Sequence, residues 1–176
     1  MNMSLNQTYF EMFGLKPAFE IDLAALAGRY RELQREFHPD RYASKSEREQ
    51  LLAMQYAARI NEAHTTLREP VLRAGYLLEL AGVAVSPEQT TADAEFLMQQ
   101  MLLRERLEAV REEADPAAAL DELGDEVRGL FAGEQAHFAG VFAAGDLEAG
   151  KNSLLRLQFL VKLQRQVEEL EEDLLD

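Results

Sequence analysis

The sequence predicts an all-α protein of two domains, an N-terminal helical hairpin with short flanking helices and a C-terminal three-helix bundle. Composition is the first observation, because Ala, Leu, Glu, Arg and Gln dominate and all of them favour helices. Periodicity is the second, since apolar residues recur at steps of three and four. The third is an interruption over residues 83–91, which lacks helical periodicity and holds a proline and a polar cluster. We therefore expect domains over residues 1–82 and 92–176.

The first domain is predicted to contain two long helices that pack face to face. Asp22 is the expected N-cap of the first long helix, and residues 38–46 join it to the second. The two buried stripes are Leu23, Leu26, Tyr30, Leu33 and Phe37 on the first helix, and Leu52, Tyr56, Ile60, Ala63 and Leu67 on the second. A short helix over residues 7–13 precedes the pair, and another over residues 70–80 follows it.

The second domain is predicted to be a bundle of three helices, over residues 92–114, 116–144 and 146–175. On the first of them, one apolar set can pack inward while a second set occupies the far side together with Glu105. The inward set is Phe96, Leu103, Leu107 and Val110, and the far set is Leu97, Met98, Met101 and Leu102. The far set either binds a partner or is buried because this helix lies centrally in the protein, and the pattern leaves both interpretations open.

Composition and charge exclude several classes of function. The chain has no cysteine, which excludes disulfides, thiolate nucleophiles and metal clusters held by cysteine. Residues 1–90 carry 10 Lys and Arg against 12 Asp and Glu, whereas residues 91–176 carry 8 against 20. So acidic a half repels phosphate backbones, and nucleic acid is not an expected partner. No signal segment or membrane span is recognisable, so we expect a cytoplasmic protein with no membrane partner.

The most compact polar motif is the tripeptide His38-Pro39-Asp40. Pro39 lacks an N–H and disfavours helical geometry in the residue before it, so the first long helix should end near His38. His38 and Asp40 are then held on the surface. Arg31 and Arg35, four residues apart, face solvent on the side opposite to the apolar stripe. The motif is either a helix stop in which Asp40 caps the next turn, or a docking corner.

A catalytic interpretation, with His38 as base and Asp40 orienting it, is disfavoured. No nucleophile, metal-ligand set or glycine-rich phosphate loop accompanies them in the sequence, and Pro39 between them hinders a close side-chain bond. The other histidines, His64 and His137, are interpreted as helix packing or boundary residues rather than ligands. We expect neither an enzyme nor a metal or cofactor site.

Several segments around this motif together resemble a J-domain. They are residues 9–15, 30–37, 38–42 and 60–67, followed by Pro70. The resemblance implies that the first domain docks on a DnaK-class chaperone ATPase and stimulates its ATP hydrolysis. The residues to which it assigns this contact are His38, Pro39, Asp40, Arg31, Arg35 and Arg41. Arg41 stands where a lysine is common, which preserves charge but not shape.

Residues 70–80, 95–105 and 156–163 resemble the HscB family, and the similarity covers nearly the whole chain. It implies a J-domain followed by a C-terminal three-helix domain. It also implies a co-chaperone of iron–sulfur cluster assembly, which brings an IscU-type scaffold protein to an HscA-type chaperone. The implied scaffold-binding residues are Leu97, Met98, Met101, Glu105 and Phe159. Leu102 and Ala109 stand where acidic residues are typical of that surface. The alternative is a general J-domain co-chaperone that delivers unfolded polypeptides.

Overall fold

The computed structural model describes residues 4–176, and within that range the chain forms helices and loops but no strand. The α-helices are α1 (Tyr9–Met12), α2 (Leu23–Glu36), α3 (Glu47–Arg68), α4 (Pro70–Leu80), α5 (Ala94–Ala109), α6 (Pro116–Ala143) and α7 (Leu147–Leu175). Two 3₁₀ turns, Pro39–Arg41 and Val110–Glu112, follow α2 and α5. The predicted all-α class is confirmed.

The first unit ends at Leu77 and is built around α2 and α3. Tyr30 in α2 donates a hydrogen bond from its hydroxyl to Oδ1 of Asn61 in α3 at 2.6 Å. Phe37, just beyond the end of α2, has its ring centroid 5.2 Å from that of Tyr56. A later residue of the first helix thus meets an earlier residue of the second, so the two helices form the predicted antiparallel hairpin.

Two members of the predicted buried stripes are exposed. Leu23 lies in the first turn of α2 and Leu52 near the start of α3, and both side chains face solvent. In α3, Ala53 takes the inward position, because two consecutive steps of four residues rotate Leu52 about 80° away from Ile60 around the helix axis. The buried members of the two predicted stripes are Leu26, Leu33, Phe37, Ile60, Ala63 and Leu67.

A buried arginine joins α4 to the rest of the first unit. Arg73 donates from Nε to the carbonyl of Phe19 and from Nη1 to the carbonyl of Leu67, both at 2.6 Å. Its guanidinium also lies 4.9 Å from the centroid of the Phe19 ring. These contacts satisfy a cation that would otherwise be costly to bury, so Arg73 helps to fix the start of α4 against the end of α3.

The second unit begins at Leu78 and contains the bundle of α5, α6 and α7. Its core draws on all three helices and comprises Phe96, Leu103, Val110, Leu120, Leu123, Val127, Phe159, Leu160, Leu163 and Val167. Each helix begins at an aspartate, Asp93, Asp115 or Asp146, whose carboxylate accepts hydrogen bonds from first-turn N–H groups. Gly145, with φ of 78°, turns the chain between α6 and α7. The predicted breaks between the bundle helices are confirmed.

The division between the two units falls inside α4, between Leu77 and Leu78, a few residues before the predicted end of the first domain. Leu78 lies against Gly150 of α7, where an added Cβ would come within 3.3 Å of a Leu78 methyl group. Lys162 Nζ donates to the carbonyl of Pro87 at 3.0 Å. The end of α4 and the segment after it therefore pack within the second unit.

Candidate functional site

The tripeptide His38-Pro39-Asp40 forms a tight corner after α2. His38 has the extended conformation expected of a residue before proline, with φ of −62° and ψ of 136°. Its Nδ1 accepts a hydrogen bond from the Asp40 N–H at 3.3 Å and so caps the short 3₁₀ turn that begins at Pro39. The predicted cap by Asp40 is wrong, because His38 caps this turn and Ser46 caps α3.

The corner brings its two polar side chains together at the surface. His38 Nδ1 lies 3.7 Å from Asp40 Oδ2, beyond hydrogen-bond distance, and this nitrogen already accepts from the Asp40 N–H. The 3₁₀ turn folds Asp40 back toward His38 in place of an extended chain. The side chains of His38 and Asp40 are 58% and 91% exposed. Such exposed side chains suit contact with another protein. They are not sheltered from water, as a catalytic base normally is.

Three arginines gather beside the corner. Arg31, Arg35 and Arg41 line a shallow hollow together with Gln34 and His38. Arg35 Nε donates to the Arg31 carbonyl at 3.4 Å, which holds its guanidinium along the helix. The hollow, called the basic hollow below, joins the predicted basic face of α2 to the corner. Its charge favours an acidic partner surface.

A second exposed surface lies on α5 in the other unit. Leu97, Met98, Met101 and Leu102, called the α5 face below, all expose large apolar area. Met98 and Met101 are 65% and 63% exposed. On the opposite side of the helix Phe96 and Leu103 are buried, as predicted. The interpretation that α5 buries both of its faces is therefore wrong, because the α5 face is an exposed apolar surface.

Phe159, which the resemblance assigns to the same surface as the α5 face, is a core residue with 7% of its area exposed. Its ring meets that of Phe96 edge to face, with centroids 5.7 Å apart. The guanidinium of Arg104 lies 5.4 Å from the Phe159 centroid. Phe159 thus supports α5 from within the bundle, whereas Leu97, Met98, Met101 and Glu105 lie at the surface of the helix.

A polar network fixes the start of α5. Arg156 of α7 donates from Nη2 to Oδ2 of Asp93, the N-cap of α5, at 2.6 Å. Arg156 also lies 5.5 Å from the Phe96 ring centroid and 3.9 Å from Glu134 Oε1. Ser153 Oγ donates to the same Glu134 oxygen at 2.6 Å. Sequence reasoning missed this network, although the position of Asp93 before α5 is a recognisable cap signal.

The charge of Arg156 has a measurable consequence for Asp93. The hydrogen bond from Arg156, followed by that from the Phe96 N–H, holds the pKa of the Asp93 carboxyl below its usual range. The carboxylate form therefore persists to more acidic pH than in an unfolded chain.

A cleft of about 720 Å³ between α5 and α6 adjoins the α5 face. Leu102 and Ala109 contribute apolar lining, and Glu105 and Glu122 contribute carboxylates. Leu102 and Ala109 therefore extend the apolar surface into this cleft.

His64 packs inside the hairpin as predicted. Its ring stacks on Tyr30 with centroids 3.7 Å apart and planes 5° from parallel. Burial, followed by the nearby charge of Arg68, lowers the pKa of His64. His137 is exposed on α6.

Among residues 4–176, none of the helices has an apolar stretch long enough to cross a lipid bilayer.

Comparison with protein families and solved structures identifies relatives over nearly the whole chain. Residues 92–168 match the family described as the HSCB C-terminal oligomerisation domain. A Vibrio cholerae protein named Co-chaperone protein HscB homolog is 44% identical over 168 residues, which cover 95% of this chain and 98% of the relative. A Shewanella loihica protein of the same name is 42% identical, with coverage of 94% and 98%.

Solved structures give the same result for the fold. The structure titled Chaperone HscB from Vibrio cholerae has a TM-score of 0.88 and 42% identity, and the match covers 96% of this chain and 99% of that one. Human co-chaperone protein HscB also has a TM-score of 0.88, at 26% identity, with coverage of 96% and 84%. The fold is thus a J-domain followed by a three-helix bundle, and the chain belongs to the HscB family of co-chaperones.

Proposed function

We propose that this protein stimulates the ATPase of an HscA-type, DnaK-class chaperone and delivers an IscU-type iron–sulfur cluster scaffold protein to it, in the cytoplasm. The observation that carries the proposal is the presence of two unlike surfaces on one chain. The corner and basic hollow lie in the first unit. The exposed α5 face lies in the second unit. In this proposal the protein itself performs no covalent chemistry.

The corner and basic hollow form the proposed chaperone contact. Asp40 offers a nearly fully exposed carboxylate, which suits a charge-assisted hydrogen bond to a cationic group of the ATPase. Arg31, Arg35 and Arg41 suit acidic groups of the same partner. The short turn capped by His38 holds the backbone of Asp40 in place, so the backbone needs little ordering on binding.

The α5 face forms the proposed scaffold contact. Its two methionines are flexible and polarisable, which suits an apolar partner surface of irregular shape. Leu97 and Leu102 extend the apolar area along the helix, and Glu105 adds an exposed carboxylate at the edge. The Phe96–Phe159 contact and the Asp93–Arg156 ion pair hold the helix that carries the face in place before binding.

Delivery follows from carrying both contacts on one chain. A scaffold protein held on the α5 face is brought near any chaperone that engages the corner. Tethering raises the effective concentration of one partner near the other, so modest individual affinities suffice.

The direct test is the steady-state ATPase rate of an HscA-type chaperone with this protein and scaffold protein, added separately and together. We expect stimulation by this protein and a more than additive rate with both. His38→Gln should remove the stimulation, whereas His137→Gln, at an exposed histidine of α6, should retain it. An unchanged ATPase rate with the native protein, or full stimulation by the His38→Gln variant, would refute the proposal.

A second candidate function is delivery of unfolded polypeptides in general, which the methionine content of the α5 face favours. Pulldown of the scaffold protein and of two unrelated unfolded proteins separates the candidates. Substituting Met98 and Met101 by alanine weakens capture of the scaffold alone under the main proposal. Equal loss of every client would favour the general co-chaperone.

A further inference from the structure

Among the described residues, two exposed methionines lie close together on one helix face. The sequence has no cysteine and six methionines, so thioethers are its only sulfur groups. Four methionines lie among the described residues. Met12 is buried, with 2% exposure, whereas Met54, Met98 and Met101 are each more than 60% exposed. Two of these three exposed thioethers lie three residues apart on the α5 face.

We propose that Met98 and Met101 are oxidation sites at which hydroperoxides reversibly weaken the docking of the scaffold protein. The inference rests on the proposed function, since the α5 face must bind the scaffold for its oxidation to matter. Both residues are mostly exposed, and α5 presents them on the side opposite to Phe96 and Leu103.

The reaction needs only the thioether and the hydroperoxide. A lone pair of the methionine sulfur attacks the terminal peroxide oxygen, an S–O bond forms and the O–O bond breaks. The proton of that oxygen moves to the leaving oxygen. The sulfur is thereby oxidised to a sulfoxide while the hydroperoxide is reduced to an alcohol, or to water in the case of hydrogen peroxide. Methionine sulfoxide reductases reverse the change.

The effect on binding follows from polarity. A thioether is a weak acceptor that is readily buried against apolar groups, whereas a sulfoxide oxygen is a strong acceptor that loses water on burial. Two sulfoxides in the middle of the α5 face would each place an unpartnered polar group in the interface. We expect the dissociation constant for the scaffold protein to rise about tenfold or more.

The chain contains its own controls. Met54 of α3 is 65% exposed, the same as Met98, but belongs to the first unit and not to the α5 face. Its oxidation should proceed in parallel and leave scaffold binding unaffected. Met12 reports any unfolding during treatment, because it becomes accessible only when the core of the first unit opens.

The test treats the whole protein with hydrogen peroxide, removes the oxidant, and quantifies sulfoxide at each methionine by peptide mass spectrometry. The dissociation constant for cluster-free scaffold protein from the same organism is measured by calorimetry before and after treatment. For each protein the second value is divided by the first. We expect a ratio of about ten for the native chain and for Met54→Leu, and a ratio near one for the Met98→Leu/Met101→Leu double variant. Reductase treatment should return the native value.

A ratio near one for native protein that is fully oxidised at Met98 and Met101 would overturn the inference alone. The inference alone would also be overturned if peroxide treatment lowers the affinity of the double variant as much as that of the native chain. Absence of binding by untreated protein would instead overturn the proposed function and the inference with it.

Discussion

The corner and the α5 face are built in opposite ways. The geometry of the corner comes from residues adjacent in sequence, since Pro39 ends the helix and His38 caps its own turn. The α5 face depends on residues far away in sequence, because Asp93 at its start is bonded to Arg156, 63 residues later. A surface made by three consecutive residues needs little support, whereas an exposed apolar helix face exists only while the bundle beneath it is intact.

The largest expected effect comes from weakening the bundle beneath the α5 face. Phe159→Ala removes a buried aromatic side chain and should lower the free energy of unfolding of the second unit by about 3–5 kcal/mol. Met98→Ala, at an exposed position, should change it by no more than about 0.5 kcal/mol. Both variants should weaken scaffold binding, but only Phe159→Ala should do so through stability. Denaturant unfolding and calorimetric titration measure the two quantities. If Phe159→Ala weakens binding without destabilising the bundle, Phe159 contacts the scaffold protein directly. That result would contradict its role as a core residue that supports the α5 face.

The basic hollow should give a smaller effect that depends on salt. In the Arg31→Gln/Arg35→Gln variant, the protein concentration for half-maximal ATPase stimulation should rise about fivefold at low ionic strength. The increase should shrink at about 0.3 M salt, because exposed charges are screened. Arg165→Gln, at an exposed arginine of α7, is the matched control and should behave like the native protein. A loss of stimulation that is equal at low and high salt would show that the arginines do not act through their charge.

The Asp93–Arg156 ion pair tests whether the α5 face depends on distant residues, since it joins α5 to α7. Arg156→Gln should lower the midpoint of thermal unfolding by less than Phe159→Ala does, and should weaken scaffold binding. The folded pKa of Asp93 lies below its unfolded value of about 3.9, so the ion pair contributes stability above that pH and loses it as the pH falls through the folded pKa. The stability difference between native and Arg156→Gln proteins should therefore narrow as the pH falls from about 5 to about 3. A constant difference would mean that Asp93 is not the partner that matters.

The smallest effect concerns His64 in the first unit. Burial lowers its folded pKa below the unfolded value of about 6.5, so folding favours the neutral ring. The associated stability is present above about pH 6.5 and is lost as the pH falls through that value toward the folded pKa. Native protein should lose stability between about pH 7.5 and pH 5 relative to His64→Gln, which cannot titrate. Denaturant unfolding at each pH measures this, and parallel profiles for the two proteins would count against a buried neutral His64.

Sequence alone predicted the features that depend on local chemistry. Asp22 caps α2 as predicted, because a cap involves only the next few residues. The second apolar side of α5 was also predictable, since 100° per residue separates Met98 and Met101 from Phe96 and Leu103. Which side a partner covers is not a local property, and the pattern left it open.

The features that sequence could not give are pairings between distant residues. The apolar positions of α7 outnumber those that one surface needs, so the pattern could not show that Phe159 points into the core. Arg73 reads as an ordinary helical arginine until its bond to the Phe19 carbonyl, 54 residues earlier, is known. Leu52 and Ala53 both continue the α3 rhythm, but Ala53 is buried because it lies only about 20° from Ile60 around the helix axis, whereas Leu52 lies about 80° away.

The central claim is that the corner and the α5 face must act on the same molecule. The measurement is the ATPase rate of the HscA-type chaperone with scaffold protein and an equal mixture of two variants, His38→Gln and Met98→Ala/Met101→Ala. Each variant alone should lack the more than additive rate, the first because it cannot engage the chaperone and the second because it cannot hold the scaffold. The account predicts that the mixture also lacks it, since tethering requires both surfaces on one chain. Full recovery of the rate by the mixture would contradict the account.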